Sequence, residues 1–330
     1  RLSAARLPAE GYYTISSVRD ADANAPKSEI FAQHRAVYVS ASQIGDRLAT
    51  LDRLQDIRIR IFHYWKDEVT TLAGYDAKTK RLALARPTTM TVSRGDRYYL
   101  ENVREALSTP GQWYLDHETG KLFYVPFFGE SMADTTLQIG YMEQMMILHG
   151  VSNLHFEGIT FAGSDWSIPG NNAEPDFAQA AYDVTASVLV LNASDLSFTA
   201  CTFTQIGGSA LKLGPNVQNM TVTGCLFEDI GANAVTIDGL DCALDDPQVS
   251  RNIQITDNHI CKYGQSFFNG VGVLLTRARD CVIANNEIHD GFYTAISAGW
   301  VWGYTYSVTD NVRIADNLIY DIGQGLLSDM

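Results

Sequence analysis

Apolar and polar residues alternate over short stretches along most of the chain, a period of two that predicts strands. In residues 1–150 the alternation is irregular. "RIRIFHYW" (58–65) and "RLALARP" (81–87) read as strands, and "GQWYLDHETGKLFYVP" (111–126) reads as a hairpin whose polar turn ends in Gly120. Helical periodicity is weak, with "LATLDRLQDI" (48–57) the best short candidate. Residues 1–150 are therefore expected to form a β-rich, sandwich-like module, with Trp113, Tyr114, Phe123 and Tyr124 in its core.

From residue 151 the alternation becomes a repeat. Its copies are "NLHFEGITF" (153–161), "DLSFTACTF" (195–203), "NMTVTGCLF" (219–227), "NIQITDNHI" (252–260), "DCVIANNEI" (280–288) and "NVRIADNLI" (311–319). A turn follows each of several copies, as at Ile206-Gly207 and Ile230-Gly231, and then a second short strand such as "ALKL" or "AVTI". Repeats of 20–50 residues built from short strands describe stacked coils, each about 4.8 Å from the next. The columns agree. Phe161, Phe203, Phe227, Ile260, Ile288 and Ile319 form an inward stack, and Asn258, Asn286 and Asn317 form a structural ladder of amides at a turn. The fold expected for 151–330 is a parallel β-solenoid within an all-β chain.

Charge narrows the partners. Residues 1–150 carry 18 Lys+Arg against 18 Asp+Glu, and residues 151–330 carry 6 against 20, which accounts for the whole net charge of −14. So acidic a repeat region argues against nucleic acid, and a neutral or cationic substrate suits it better than a polyanion. No apolar run is long enough to span a bilayer. The five cysteines, Cys201, Cys225, Cys242, Cys261 and Cys281, are odd in number and lack a short metal-binding motif. No disulfide framework, metal or cofactor is expected, and Cys201 and Cys225 read as small buried hydrophobes. "GSALKLGPN" and "GANAVTIDG" lack the spacing of a phosphate loop.

Several stretches resemble a known group. The repeat is similar to the right-handed parallel β-helix of the pectate-lyase-like superfamily. "ARLPAEGYYTI" (5–15), "RYYLENVREALSTPGQWYLDHETGKLFYVP" (97–126), "GITFAGSDW" (158–166), "NNEIHDGFYTAISAGWVWG" (285–303) and "NLIYDIGQGLLSDM" (317–330) resemble bacterial β-helix proteins related to glycoside hydrolase family 141. The resemblance implies that residues 1–150 are a module inserted into the helix, and that the chain is an internal piece of a longer protein. It also implies a secreted or periplasmic enzyme that cleaves glycosidic bonds in a plant or microbial polysaccharide, of fucoside or xylan type.

A solenoid core holds no catalytic groups, so chemistry belongs on an outer face beneath long loops. "AGSDWSIPGNNAEPDFAQAAYD" (162–183), "IDGLDCALDDPQVS" (237–250) and "AGWVWGYTYSVTD" (298–310) are insertions at similar coil positions and are expected to wall one groove. Glycoside hydrolysis uses two carboxylates about 5–9.5 Å apart. The candidates are Asp290 and Asp329, with Asp321 third. Asp329 falls in the apolar column of Leu213 and Ile237, so it is either buried with a raised pKa or turned outward by a bulge; its "SDM" matches a motif of the resembled group. Asp290 belongs to the column Gln205, Asp229, Lys262, Asp290, Asp321, where a plain turn role competes with catalysis. Stacked between Lys262 and Asp321, Asp290 or Asp321 is expected to have a raised pKa suited to a general acid, with Lys262 holding its neighbour ionised. Trp300, Trp302 and Trp166 are candidate sugar platforms, and His289 and Tyr293 flank Asp290 and could orient substrate. Two other readings stand. A lyase or uronate epimerase would draw its cations from Lys212, Lys262, Arg251, Arg277, Arg279 and Arg313, and a non-catalytic adhesin or binding module would need no paired carboxylates.

Overall fold

The computed structural model describes residues 2–18, 33–131, 133–167 and 178–327. These fall into two compact units, one holding the described residues up to Leu137, the other Gln138–Ser167 and the residues from 178 onward. Among the described residues no helix is long and apolar enough to cross a membrane.

In the first unit, strands Arg6–Leu7, Tyr13–Ser17, Ala36–Val39, Arg58–Phe62, Asp67–Asp76, Arg81–Leu84 and Arg97–Glu101 form one antiparallel sheet. Arg97–Glu101 pairs with Tyr13–Ser17 on one edge and with Arg58–Phe62 on the other, so the sheet closes on itself. Its inner face encloses one apolar interior around Ile15, Ile59, Leu82, Tyr98 and Leu100. The expected hairpin is present, with Asp116 opposite Lys121 and Gly120 at a φ of +66°. Of its four aromatics, Tyr114 alone is fully buried, its hydroxyl 3.2 Å from Asp56 Oδ2. Phe123 is 39% exposed and Trp113 and Tyr124 are half-buried, because one face of this hairpin meets solvent. The "LATLDRLQDI" stretch forms no continuous helix; it holds the end of one helical turn, Asp46–Leu48, and a 3-10 turn, Leu54–Asp56.

The second unit is a parallel β-helix. The first sheet stacks Met146–His149, Ala186–Leu191, Ser209–Leu213, Val235–Asp238, Val273–Arg277 and Ile296–Ala298. The second stacks Ser152–Glu157, Ala193–Thr199, Val217–Thr223, Arg251–Thr256, Arg279–Ala284 and Asp310–Ala315. The third stacks Thr160–Ala162, Thr202–Ile206, Leu226–Ile230, His259–Cys261, Glu287–His289 and Leu318–Tyr320.

The repeat columns are the pairing register. Phe161 pairs with Phe203, Phe203 with Phe227, Phe227 with Ile260, Ile260 with Ile288 and Ile288 with Ile319. The phenylalanine rings stack at 4.8 and 4.6 Å between centroids. The asparagine ladder is likewise present. Asn286 Oδ1 accepts from Asn258 Nδ2 at 3.0 Å, and Asn317 Oδ1 accepts from Asn286 Nδ2 at 2.9 Å. Each Nδ2 also reaches a backbone carbonyl of the preceding coil, so amides buried at this corner are satisfied across coils. The thiols of Cys201 and Cys225, in the same column, donate to backbone carbonyls, and all five cysteines are free.

Candidate functional site

Alternation in the first sheet buries Leu213, Ile237 and Leu275 and turns Lys212, Asp238 and Thr276 outward. A register shift at Ile237/Asp238 sets Asp238 opposite Arg277. The Asp238 carboxylate, 6% exposed, is surrounded by donors. Oδ1 accepts from Thr276 Oγ1 at 2.7 Å and from Arg277 at 2.9 Å, and Oδ2 lies 3.0 Å from Lys212 Nζ. Tyr182, from the first insertion, completes the cluster. Arg277 donates to its hydroxyl at 3.2 Å, and Lys212 Nζ sits 4.7 Å from its ring centroid. Burial raises the Tyr182 pKa, and the Asp238 charge adds to the rise.

The insertions meet as expected. Tyr182 stacks on Trp300 of the third insertion at 5.0 Å, and Trp302 meets Trp300 edge-on at 4.8 Å. Trp302 is 71% exposed, so its ring is open to a ligand. Asp241 to Asp245 of the second insertion and Tyr306 of the third line an open pocket of about 660 Å³. The result is an aromatic surface beside a buried knot of opposite charges. Asp238, Lys212, Arg277 and Tyr182 were not singled out together by sequence, because Tyr182 arrives from a non-repeating loop and carries no periodic signal.

The predicted carboxylates occupy a different network. Asp290 follows the third-sheet strand Glu287–His289; its Oδ2 accepts from His289 Nδ1 at 2.8 Å, and its Oδ1 accepts from Gln324 Nε2 at 3.1 Å. These bonds, with Lys262 adding a smaller effect, hold Asp290 below the usual carboxylate range. A rise is expected at Asp290 or Asp321; at Asp290 the shift is downward, because its neighbours donate to the charged form. Lys262 ion-pairs with Glu228 at 2.6 Å, one coil back, and adds only a smaller effect at Asp290. Gln205, Asp229, Lys262, Asp290 and Asp321 all have φ between +48° and +57°, a shared left-handed turn that places the whole column at a corner. Asp329 lies outside the described residues.

The remaining candidates separate. Tyr293 is 2% exposed and so is removed from contact with a substrate. Trp166, half-buried, packs on Phe267 at 4.6 Å against a small apolar cluster with Ala181 and Val184. His289 faces outward between His259 and Tyr320, its ring 4.6 Å from and parallel to that of Tyr320. Of the other basic residues, Arg279 pairs with Asp280 at 2.9 Å and Arg313 lies 3.9 Å from Asp316, both on the second-sheet side.

A sequence-family profile described as "Right handed beta helix region" matches residues 186–329. No curated protein matches by sequence. A solved structure named "Glycoside hydrolase" superposes with a TM-score of 0.83 at 23% identity over 98% of this chain and 62% of that one, so this chain spans under two thirds of that protein. The tailspike protein gp49 from Pseudomonas phage LKA1 superposes over 88% of this chain and 41% of its own at 9% identity, and its TM-score of 0.32 carries no argument. The second unit is therefore a right-handed parallel β-helix, and the fold of the chain resembles that of a protein named a glycoside hydrolase.

Proposed function

We propose that this β-helix is part of a carbohydrate-active enzyme that hydrolyses glycosidic bonds, with the sugar chain lying along the outer face of the first sheet. The observation that carries the reading is the surface formed by Tyr182, Trp300 and Trp302 where the insertions meet. Flat aromatic faces suit sugar rings, whose C–H groups pack on them while their hydroxyls seek polar partners. The fold resemblance to a protein named a glycoside hydrolase supports the same reading.

Asp238 is a poor nucleophile here, since Thr276, Arg277 and Lys212 engage both its oxygens. Its role in this reading is to hold Lys212, Arg277 and Tyr182 in place. The reacting carboxylates remain Asp329 and Asp290, with Asp321 third. Asp290, held ionised, suits a base or nucleophile, which leaves the acid to Asp329. In this reading the enzyme works outside the cytoplasm on a polysaccharide. The test incubates full-length protein with a polysaccharide panel and identifies released sugars. Asp329→Asn should abolish release with its melting curve unchanged, and full activity in that variant would remove Asp329 from the mechanism.

Lyase or epimerase chemistry is favoured by one feature, the convergence of Lys212 and Arg277 in the groove. Against it, Asp238 neutralises one of those two charges, and the raised pKa of Tyr182 keeps its hydroxyl protonated and so unavailable as a base. An unsaturated product absorbing in the near ultraviolet would decide for the lyase.

A further inference from the structure

The outward face of the third sheet carries, next to Asp290, a histidine and cysteine cluster to which the proposed hydrolase assigns no part in bond cleavage. In this sheet Ile260 and Ile288 point into the core, and their neighbours His259, Cys261 and His289 point out. Cys261 pairs directly with His289 across adjacent strands, and His259 lies one alternation earlier on the same face. Their ligand atoms, two imidazole nitrogens and one sulfur, all lie within 4.8 Å of one another.

Three details distinguish this cluster from ordinary surface histidines. The first is that His289 is held on two sides. Its ring lies flat on Tyr320, and its Nδ1 donates to the Asp290 carboxylate at 2.8 Å. With the proton on Nδ1, Nε2 presents a lone pair, and it points at His259 Nε2, 2.7 Å away. A carboxylate behind a histidine, fixing its tautomer, is the arrangement that orients metal-bound imidazoles. The second is that Cys261 differs from the other buried cysteines. The thiols of Cys201, Cys225 and Cys281 donate to carbonyls of their own coils, whereas Cys261 has no such bond among the described residues and is 4% exposed on the outer side. The third is that the other carboxylates around Cys261 are already engaged: Glu228 pairs with Lys262 at 2.6 Å, and Glu287 accepts from the Tyr320 hydroxyl at 2.7 Å.

We propose that His259, Cys261 and His289 bind one borderline divalent cation of the Zn²⁺ class, which clasps two successive coils on the outer face of the third sheet. Two imidazoles and a thiolate select such an ion over Ca²⁺ or Mg²⁺, which take oxygen ligands. Zn–N bonds of about 2.0–2.1 Å in tetrahedral geometry place two nitrogens about 3.4 Å apart. The exposed His259 ring therefore swings outward by roughly 0.7 Å to admit the ion, while His289 stays in place. On binding, the Cys261 S–H proton is released to solvent and the sulfur binds as thiolate. Water supplies the fourth ligand. Toward the metal Asp290 is a positioning residue, acting through the bond from His289 Nδ1 to its Oδ2, in addition to the hydrolytic role proposed for it above.

The test uses the full-length protein, stripped with chelator and titrated with Zn²⁺ and, separately, Co²⁺. One equivalent should bind, and Co²⁺ should produce a thiolate-to-metal charge-transfer band. Cys261→Ser should lose the band, His259→Ala should weaken affinity at least tenfold, and Asp290→Asn should weaken it about 10–100-fold. Because His259 is exposed, its replacement probes the site without disturbing the core. The proposal is overturned if no stoichiometric binding occurs, or if the band and the affinity survive Cys261→Ser and His259→Ala. None of these readouts is turnover, so loss of the hydrolase reading leaves them intact.

Discussion

The asparagine ladder makes a prediction whose size can be worked from its bonds. Asn286 is 1% exposed and has an ordinary negative φ, so Asn286→Ala carries no backbone penalty. The substitution removes the acceptor of the Asn258 backbone N–H, 3.0 Å away, and nothing else in the described structure takes that hydrogen. It also removes bonds from Nδ2 to the Ile255 carbonyl and to Asn317 Oδ1, both 2.9 Å. Asn258 Nδ2 retains the Val222 carbonyl at 3.0 Å, and Asn317 Oδ1 retains the Asn286 backbone N–H at 3.0 Å. A stranded buried donor costs about 1–3 kcal/mol and each of the three further lost bonds, the one from Asn258 Nδ2 included, about 1 kcal/mol, for a sum of about 4–6 kcal/mol. The control is Asn252, whose Nδ2 donates to Asn219 Oδ1 at 2.8 Å on the exposed ladder. Asn252 sits at a φ of +54°, which glycine tolerates, so Asn252→Gly removes the side-chain bond at a cost below about 1 kcal/mol. Urea unfolding followed by circular dichroism gives both values, and amide exchange at Asn258 gives a local readout. If Asn286→Ala falls within about 1 kcal/mol of Asn252→Gly, or Asn258 exchange does not accelerate, the ladder does not hold the corner as described.

Three further outcomes follow from other parts of the molecule. Trp300→Ala removes the face on which Tyr182 stacks, and should raise KM about tenfold on the substrate polysaccharide, a loss of about 1.4 kcal/mol, with kcat little changed. An unchanged KM would place the sugar elsewhere. Gly231→Ala should unfold or severely destabilise the helix, by about 3 kcal/mol or more, because a Cβ there would sit 1.6 Å from the Gly207 carbonyl oxygen; a wild-type melting temperature would contradict this stacking. In the first unit, burial acts to raise the pKa of Glu68, but His63 at 3.2 Å, Lys66 at 3.5 Å and the Thr89 hydroxyl, which donates to Glu68 Oε1, outweigh it and the pKa is lowered. Its contribution to stability is complete above the unfolded value of about 4.3 and is lost as pH falls through the lower folded value. Glu68→Gln should therefore be less stable near neutrality and lose less than wild type on acidification; an acid limb identical to wild type would refute the assignment.

The β-helix was legible because each coil repeats the same decision. The Phe161, Phe203 and Phe227 column, the Asn258, Asn286 and Asn317 ladder and the turn column of Asp229, Asp290 and Asp321 all emerge from one alignment, and pairing preserves that register from coil to coil. The site was legible only in part. Trp300 and Trp302 stood out as aromatics in a long loop, and they do form an aromatic surface. Trp166 has the same chemistry in another long loop but packs against Phe267, and nothing in its neighbourhood of the chain distinguishes the two fates. Asp290 and Lys262 are stacked neighbours by alignment, yet side-chain direction sends Lys262 to Glu228 and Asp290 to His289.

By itself, then, the amino-acid sequence determined what recurs: which residues face inward, where the chain turns, and which coil lies against which. Those are consequences of a period of two repeated on a fixed strand spacing, so they survive without knowledge of distant contacts. Tertiary structure alone decided what happens on the outside. It brought Tyr182 to Arg277 across 95 residues and His259 to His289 across 30, distances along the chain at which no periodicity constrains direction. Outward side chains choose among several partners within reach, and that choice is made by charge, hydrogen bonding and the path of each loop only once the coils have stacked.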